Sequence, residues 1–192
     1  MSIKILIDKM SYKYKDGIET ERLITRFLTL EDAEVWKNFF EDKEAIKYLN
    51  LQGVIDPTQL AKNWMERTQW RYSVNKLGFQ AVLLKETKEL IGICGLLLQD
   101  VNGEEMVEIG YHFIRKHWGN GYATEIATAF KNYAFSTNIT DKVVSLINIH
   151  NTPSQRVAER NGMTRVRQIW WFEQDIYVYE VEANRTSNVQ KK

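Results

Sequence analysis

Apolar and polar positions along this chain change period several times, and each change marks a predicted element. Arg22 to Arg26 alternates charge with Leu23 and Ile24, as a strand does. Thr29-Leu30-Glu31-Asp32 resembles a capping box opening a helix whose inward face carries Ala33, Trp36 and Phe40. A second helical segment is expected over Lys43 to Leu49. Asp56-Pro57 places an N-cap before proline and predicts a helix to about Tyr72, burying Leu60, Trp64 and Trp70. Phe79 to Leu84 and Leu90 to Leu98 then read as a hairpin around Lys85 to Glu89, and a turn over Asp100 to Glu105 leads into a strand at Met106 to Phe113.

Next comes Lys116-His117-Trp118-Gly119-Asn120-Gly121, followed from Tyr122 to Phe135 by a helical pattern with Ala123, Ile126, Ala127, Phe130 and Ala134 on one face. Lys142 to Ile147 is a β-branched strand. The intervening helix makes it parallel to the preceding strand through a right-handed crossover. Thr152-Pro153-Ser154-Gln155 starts the last helix, with Thr152 and Gln155 as its capping box, and Asn161-Gly162 ends it. Met163 to Trp171 and Ile176 to Val181 close the sheet as a hairpin. The order is strand, two or three helices, three antiparallel strands, helix, strand, helix, two strands. That is an α+β fold with a mixed sheet, and it does not alternate from the start as a doubly wound dinucleotide fold would.

A strand, a doubled glycine turn and a helix bring orphan amides and a helix dipole to one spot, which suits a pyrophosphate. Tyr122-Ala123 stands where a P-loop needs Lys-Ser/Thr, which argues against triphosphate hydrolysis. Gly119-x-Gly121 followed by Thr124 is a poor dinucleotide fingerprint.

At 192 residues, one domain over 20–183 is expected, with a leader at 1–19 (a short strand at Ile3 to Ile7) and a polar tail at 184–192. A formal charge of +1 argues against nucleic acid, which needs a clustered basic surplus. The absence of a long apolar run or secretory signal predicts a cytoplasmic protein with no membrane partner. Cys94 alone cannot form a disulfide within the chain and sits in an apolar run, so it reads as a buried small hydrophobe. His112, His117 and His150 lack metal spacing, and no metal is expected. The aromatics Trp170-Trp171-Phe172, Trp64, Trp70 and Phe40 read mostly as core, with part walling a pocket.

Two segments together carry a family likeness. Lys116-His-Trp-Gly119-Asn-Gly121-Tyr122-Ala123-Thr124-Glu125 and Asn151-Thr-Pro-Ser154-Gln-Arg-Val157-Ala-Glu159-Arg-Asn-Gly162-Met163 resemble the two signatures of GNAT N-acetyltransferases. Thr20-Glu21-Arg22-Leu23-Ile24 and Ile109-Gly110-Tyr111 add to the likeness, which is greatest to the ribosomal-protein N-terminal acetyltransferase branch. Lys116 departs from the usual Arg or Gln; it could add a point charge beside the pyrophosphate.

The resemblance implies a mixed, mostly antiparallel sheet of six to seven strands, with strands 106–113 and 142–148 splayed to admit acetyl-CoA. It implies that backbone amides from His117 through Tyr122 (Trp118, Gly119, Asn120 and Gly121 among them) hold the diphosphate. Amides of Tyr111, His112 and Phe113 would face the thioester. Asn151 would contact the pantetheine, and Ser154 would stand near the sulfur as an acid. Glu173 is the implied base, desolvated by aromatic neighbours, with Glu108 its competitor and His150 disfavoured. The expected reaction is direct acetyl transfer to a primary amine, on a small molecule or a protein N-terminus, by a monomer or homodimer. The rival reading is an inactive acyl-CoA-binding regulator.

Overall fold

The computed structural model describes residues 14–51, 53, 56–74 and 76–184. The strand expected at 3–7 and most of the tail lie outside them. Among the described residues, one seven-stranded sheet is built from β1 (Leu23–Phe27), β2 (Phe79–Leu84), β3 (Leu90–Val101), β4 (Glu104–Phe113), β5 (Lys142–Asn148), β6 (Thr164–Trp171) and β7 (Gln174–Glu182), in the order β1-β2-β3-β4-β5-β7-β6. Every neighbouring pair is antiparallel except β4 and β5. The helices are α1 (Ala33–Glu41), α2 (Pro57–Ser73), α3 (Tyr122–Ser136) and α4 (Thr152–Arg160).

Alternation along β4 sorts its side chains onto two faces. Val107, Ile109 and Phe113 join Ile126, Phe130 and Ala158 in the core beneath α3 and α4. The even-numbered side chains look the other way, toward a second core made by Trp36, Phe39, Phe40, Leu60 and Met65 of α1 and α2 against Phe79, Ile93 and Leu97. His112 lies in that layer, edge-on to Phe39 and Trp64.

Three expectations need correction. Lys43–Leu49 forms turns, not a helix: Asp42 Oδ1 accepts the Glu44 amide at 3.0 Å, so a side chain takes a backbone donor and competes with helix propagation. Ala45, Ile46 and Leu49 still pack on the second core, so the apolar spacing is used without the helix. Trp70, Trp170 and Phe172 are exposed, not core; Trp170 lies on the edge strand β6, most of whose residues are exposed.

The third concerns α4. Asn151 caps it, with Oδ1 accepting the Ser154 amide at 3.2 Å, and Gln155 Nε2 turns away to the Ile149 carbonyl. Thr152 is already the first helical residue, so the Thr152–Gln155 box is one residue out of place.

The sheet leaves little room at Gly95, where an added Cβ would stand 2.2 Å from the Gly78 carbonyl oxygen. Gly95→Ala is expected to cost about 3 kcal/mol by overpacking, a fall of roughly 6–12 °C in Tm for a chain this size. Thermal unfolding by circular dichroism checks it.

Candidate active site

The site begins where the one parallel pair comes apart. β4 and β5 are in register at Glu108 and Val144, and Ser145 Oγ then donates to the Ile109 carbonyl at 3.0 Å. Beyond that point the strands diverge toward their C-terminal ends. The Ile114 amide bonds Ile91, so alternation turns the amides of Gly110 and His112 toward β3 and those of Tyr111 and Phe113 toward the gap. The expected trio of amides is therefore a pair, with the His112 amide facing β3.

The glycine bend follows. Gly119 and Gly121 both have φ of +80°, a left-handed backbone that β-branched residues scarcely adopt. His117 and Trp118 amides are consumed inside the bend by the Ile114 and Arg115 carbonyls. The free cradle is therefore shifted: amides of Gly119 through Thr124 have no backbone acceptor among the described residues, and Glu125 N is the first to bond back, to Gly121. Glu125 would repel a phosphate, but Arg22 pairs with it at 2.7 Å and lies 4.6 Å from the Tyr122 ring centroid.

Lys116 is pulled away from this cradle by Glu89, at 2.5 Å. His117 Nε2 stands 3.4 Å from the same carboxylate without an aligned hydrogen bond. The cations that line the cavity here are instead Arg156 and Arg160 of α4. They sit one helical turn apart on the exposed side of α4, a spacing visible in the sequence but equally typical of a solvated helix face.

Two cavities adjoin. One, of about 1000 Å³, runs from the glycine bend along the start of α3 to α4. The other, of about 450 Å³, lies on the opposite face of β4, between α2 and the β6–β7 hairpin. They share Tyr111, His112, Asn151 and Ser154, so a group at this junction is reached from both sides.

At the junction Tyr111 Oη is 3.1 Å from Ser154 Oγ and 3.0 Å from the Ser154 carbonyl. Burial pushes the Tyr111 phenol up, partly opposed by its bond to Ser154, so it is a protonated hydroxyl at neutral pH. Sequence reasoning had named only the Tyr111 amide. His112 is driven down to about 4 by burial and is neutral. Glu108 lines the second cavity. Burial raises its carboxyl, opposed by Gln99 Nε2 at 2.6 Å, the Leu146 amide and the Arg71 charge.

Glu173 stands elsewhere. With Phe172 it makes the two-residue tip of the β6–β7 hairpin, both at positive φ (+46° and +59°), and it is exposed and lines neither cavity. The aromatic shielding expected around it is absent because the hairpin tip turns it to solvent. His150 lines neither cavity. Cys94 is fully buried, and no cluster of three or more His, Cys, Asp or Glu suited to a metal occurs among the described residues. No described helix is long and apolar enough to cross a membrane.

The family model for the acetyltransferase (GNAT) domain matches residues 22–164. The chain belongs to the GNAT acetyltransferase family. YkkB of Bacillus subtilis (strain 168), an uncharacterized protein, is 34% identical over 169 residues, covering 86% of this chain and 95% of its own. A GNAT-family acetyltransferase from Bacillus anthracis superposes with a TM-score of 0.71 at 26% identity, over 86% of this chain and 98% of that one. RimL, a ribosomal-protein α-N-acetyltransferase solved with coenzyme A, shares the fold with a TM-score of 0.74 at 14% identity, over 88% and 98% of the two chains. This GNAT chain is therefore an acyltransferase.

Proposed function

We propose that the protein transfers an acetyl group from acetyl-CoA to a primary amine by direct attack on the thioester. The observation that carries this reading is the meeting of two cavities at Tyr111 and Ser154. One has the dimensions and amide cradle for coenzyme A; the other holds a desolvated carboxyl. A regulator that only bound the cofactor would have no use for the second.

The diphosphate binds the amides of Gly119 through Thr124, with Arg156 and Arg160 at the mouth. The pantetheine threads between β4 and β5 and pairs with the free edge, as an added strand does. Asn151 has Oδ1 committed to its cap, so Nδ2 is the group left to donate to a pantetheine carbonyl. The amides of Tyr111 and Phe113 face the oxygen on which charge develops.

Glu108 is the base. It takes a proton from the arriving ammonium, directly or through one water, and the neutral amine attacks the carbonyl carbon. The C–S bond breaks, the thiolate receives a proton from the Tyr111–Ser154 pair, and the nitrogen sheds its remaining excess proton to water. Positioning and oxyanion stabilisation supply the remaining rate. Cys94 takes no part.

Tyr111→Phe and Ser154→Ala are each expected to lower kcat about 10-fold or less, because one hydroxyl can replace the other. The double variant should lose about 10²-fold, a coupling that stopped-flow thiol release resolves. The reading as a whole is tested by incubating the protein with acetyl-CoA and a broad amine panel, scoring products by a 42 Da (about one acetyl group) mass gain. Tight acetyl-CoA binding with no acetylated product from any class of amine overturns it.

A further inference from the structure

The wall of the second cavity says what kind of amine it takes. Trp64, Arg67, Thr68 and Arg71 lie three and four residues apart along α2, and all four line that cavity. They bring two arginines to one side of it, Arg67 exposed and Arg71 half-buried. Neither arginine has a carboxylate within ion-pair distance among the described residues. Among the described residues, the Arg71 side chain has one hydrogen bond, a long 3.4 Å contact to the Leu77 carbonyl, and that of Arg67 has none. The Trp64 indole N–H is buried without an acceptor.

Donors therefore outnumber acceptors on this wall. Among the described residues Glu108 is the one carboxylate lining the cavity, and Gln99 and the Leu146 amide already bond it. Burial and the neighbouring Arg67 charge make the Arg71 cation less favourable, partly offset by the Glu108 charge, so a further anion beside the two arginines would be stabilised by both cations. Arg71 also stands in the last turn of α2, where the helix dipole favours a cation, but that role leaves most of its donors unused and says nothing of Arg67.

Resting on the acetyl-transfer reading above, we propose that the acceptor is a primary amine carrying an oxyacid group, a carboxylate or a phosphate-like anion, held by Arg67 and Arg71 while its amine faces Glu108. A guanidinium fork matches either oxyacid with paired N–H donors. The same two cations repel polyamines and aminoglycosides, so those classes are disfavoured acceptors. A zwitterionic acceptor also suits the cavity as a whole: its ammonium approaches the half-buried Glu108 carboxyl, and its acid approaches the two cations.

The test uses matched triplets: leucine, leucinamide and 1-amino-3-methylbutylphosphonate, with the corresponding glycine and phenylalanine sets, and spermidine alone. Acetylation is read as kcat/KM, and binding to the coenzyme A-loaded protein by calorimetry. The acid-bearing member of a triplet is expected to exceed its amide by about 10-fold or more, and the carboxylate and phosphonate arms say which oxyacid fits. Arg67→Gln and Arg71→Gln should each reduce that ratio mainly through KM. Arg71→Lys, which keeps the charge without the fork, should retain part of it.

Equal rates for acids and amides, a preference for spermidine, or an unchanged ratio in both glutamine variants overturns the proposal while leaving acetyl transfer standing. Conversely, arginine-dependent binding of the acids without acetylation of any amine upholds the oxyacid site and overturns the transferase reading.

Discussion

Glu108→Gln is expected to lower kcat by about 10²- to 10⁴-fold, the usual contribution of a positioned base, with acetyl-CoA affinity little changed. The substitution is nearly isosteric, and the new amide oxygen can still accept from Gln99, so the cavity wall survives. In the parent, kcat rises with pH as the carboxyl ionises, with an inflection above the ordinary carboxylate range because burial raises it. That inflection disappears in the variant.

Stability moves the other way. A carboxyl raised on folding contributes stability that is fully present below its unfolded pKa and is lost as pH rises through the folded one. Removing the ionisable group removes that loss, so Glu108→Gln should raise Tm at pH 8 relative to the parent while turnover falls. Glu173→Gln, at the exposed hairpin tip, should alter kcat by no more than about threefold. A collapse of activity in Glu173→Gln with Glu108→Gln unaffected reverses the assignment, and pH–rate profiles of both variants decide it.

Gly121→Val is expected to weaken acetyl-CoA binding by at least about 100-fold, or roughly 3 kcal/mol. Space is not the reason, since the nearest atom to an added Cβ is Arg22 Nη2 at 3.6 Å. The backbone is: a β-branched residue is strained at φ of +80°, so the bend must open and the amides of Gly121 and Tyr122 lose their common aim. Isothermal calorimetry measures the affinity, and a Tm scan separates a displaced loop from an unfolded chain. Gly121→Ala, with less crowding at Cβ, should lose less. Unchanged binding in the valine variant removes the cradle from the mechanism.

Periodicity made most of the fold legible, because the helices and most of the strands bury at least one face. Boundaries were harder. Asn102-Gly103 is a two-residue turn with both residues at positive φ, and it lets β3 and β4 pair to Val101 and Glu104, beyond the strands expected from apolar content. Polar Gln99, Asp100, Glu104 and Glu105 hid that extension, since a backbone ladder does not require apolar side chains. The glycine bend was legible because only glycine tolerates its geometry.

The amides and side chains of the site were less so. The cap lies one residue earlier than the local pattern suggests, so Asn151 Oδ1 serves the helix and its Nδ2 is the end left for the proposed pantetheine contact. Nothing in the local pattern of α2 marks Arg67 and Arg71, because a cation facing water and one lining a cavity have the same spacing. The outward-turned hairpin tip that leaves Glu173 in solvent is a backbone feature no local pattern distinguishes from a turn folded over the cavity.

β4 runs between the two cavities, with Glu108 facing one and Tyr111 reaching Ser154 where they meet. A turnover along the proposed path leaves a surplus hydrogen ion on Glu108 and a deficit on the Tyr111–Ser154 pair, three residues further along the same strand. Because the chambers open into one another there, the two imbalances can cancel across the junction without either product having to leave first.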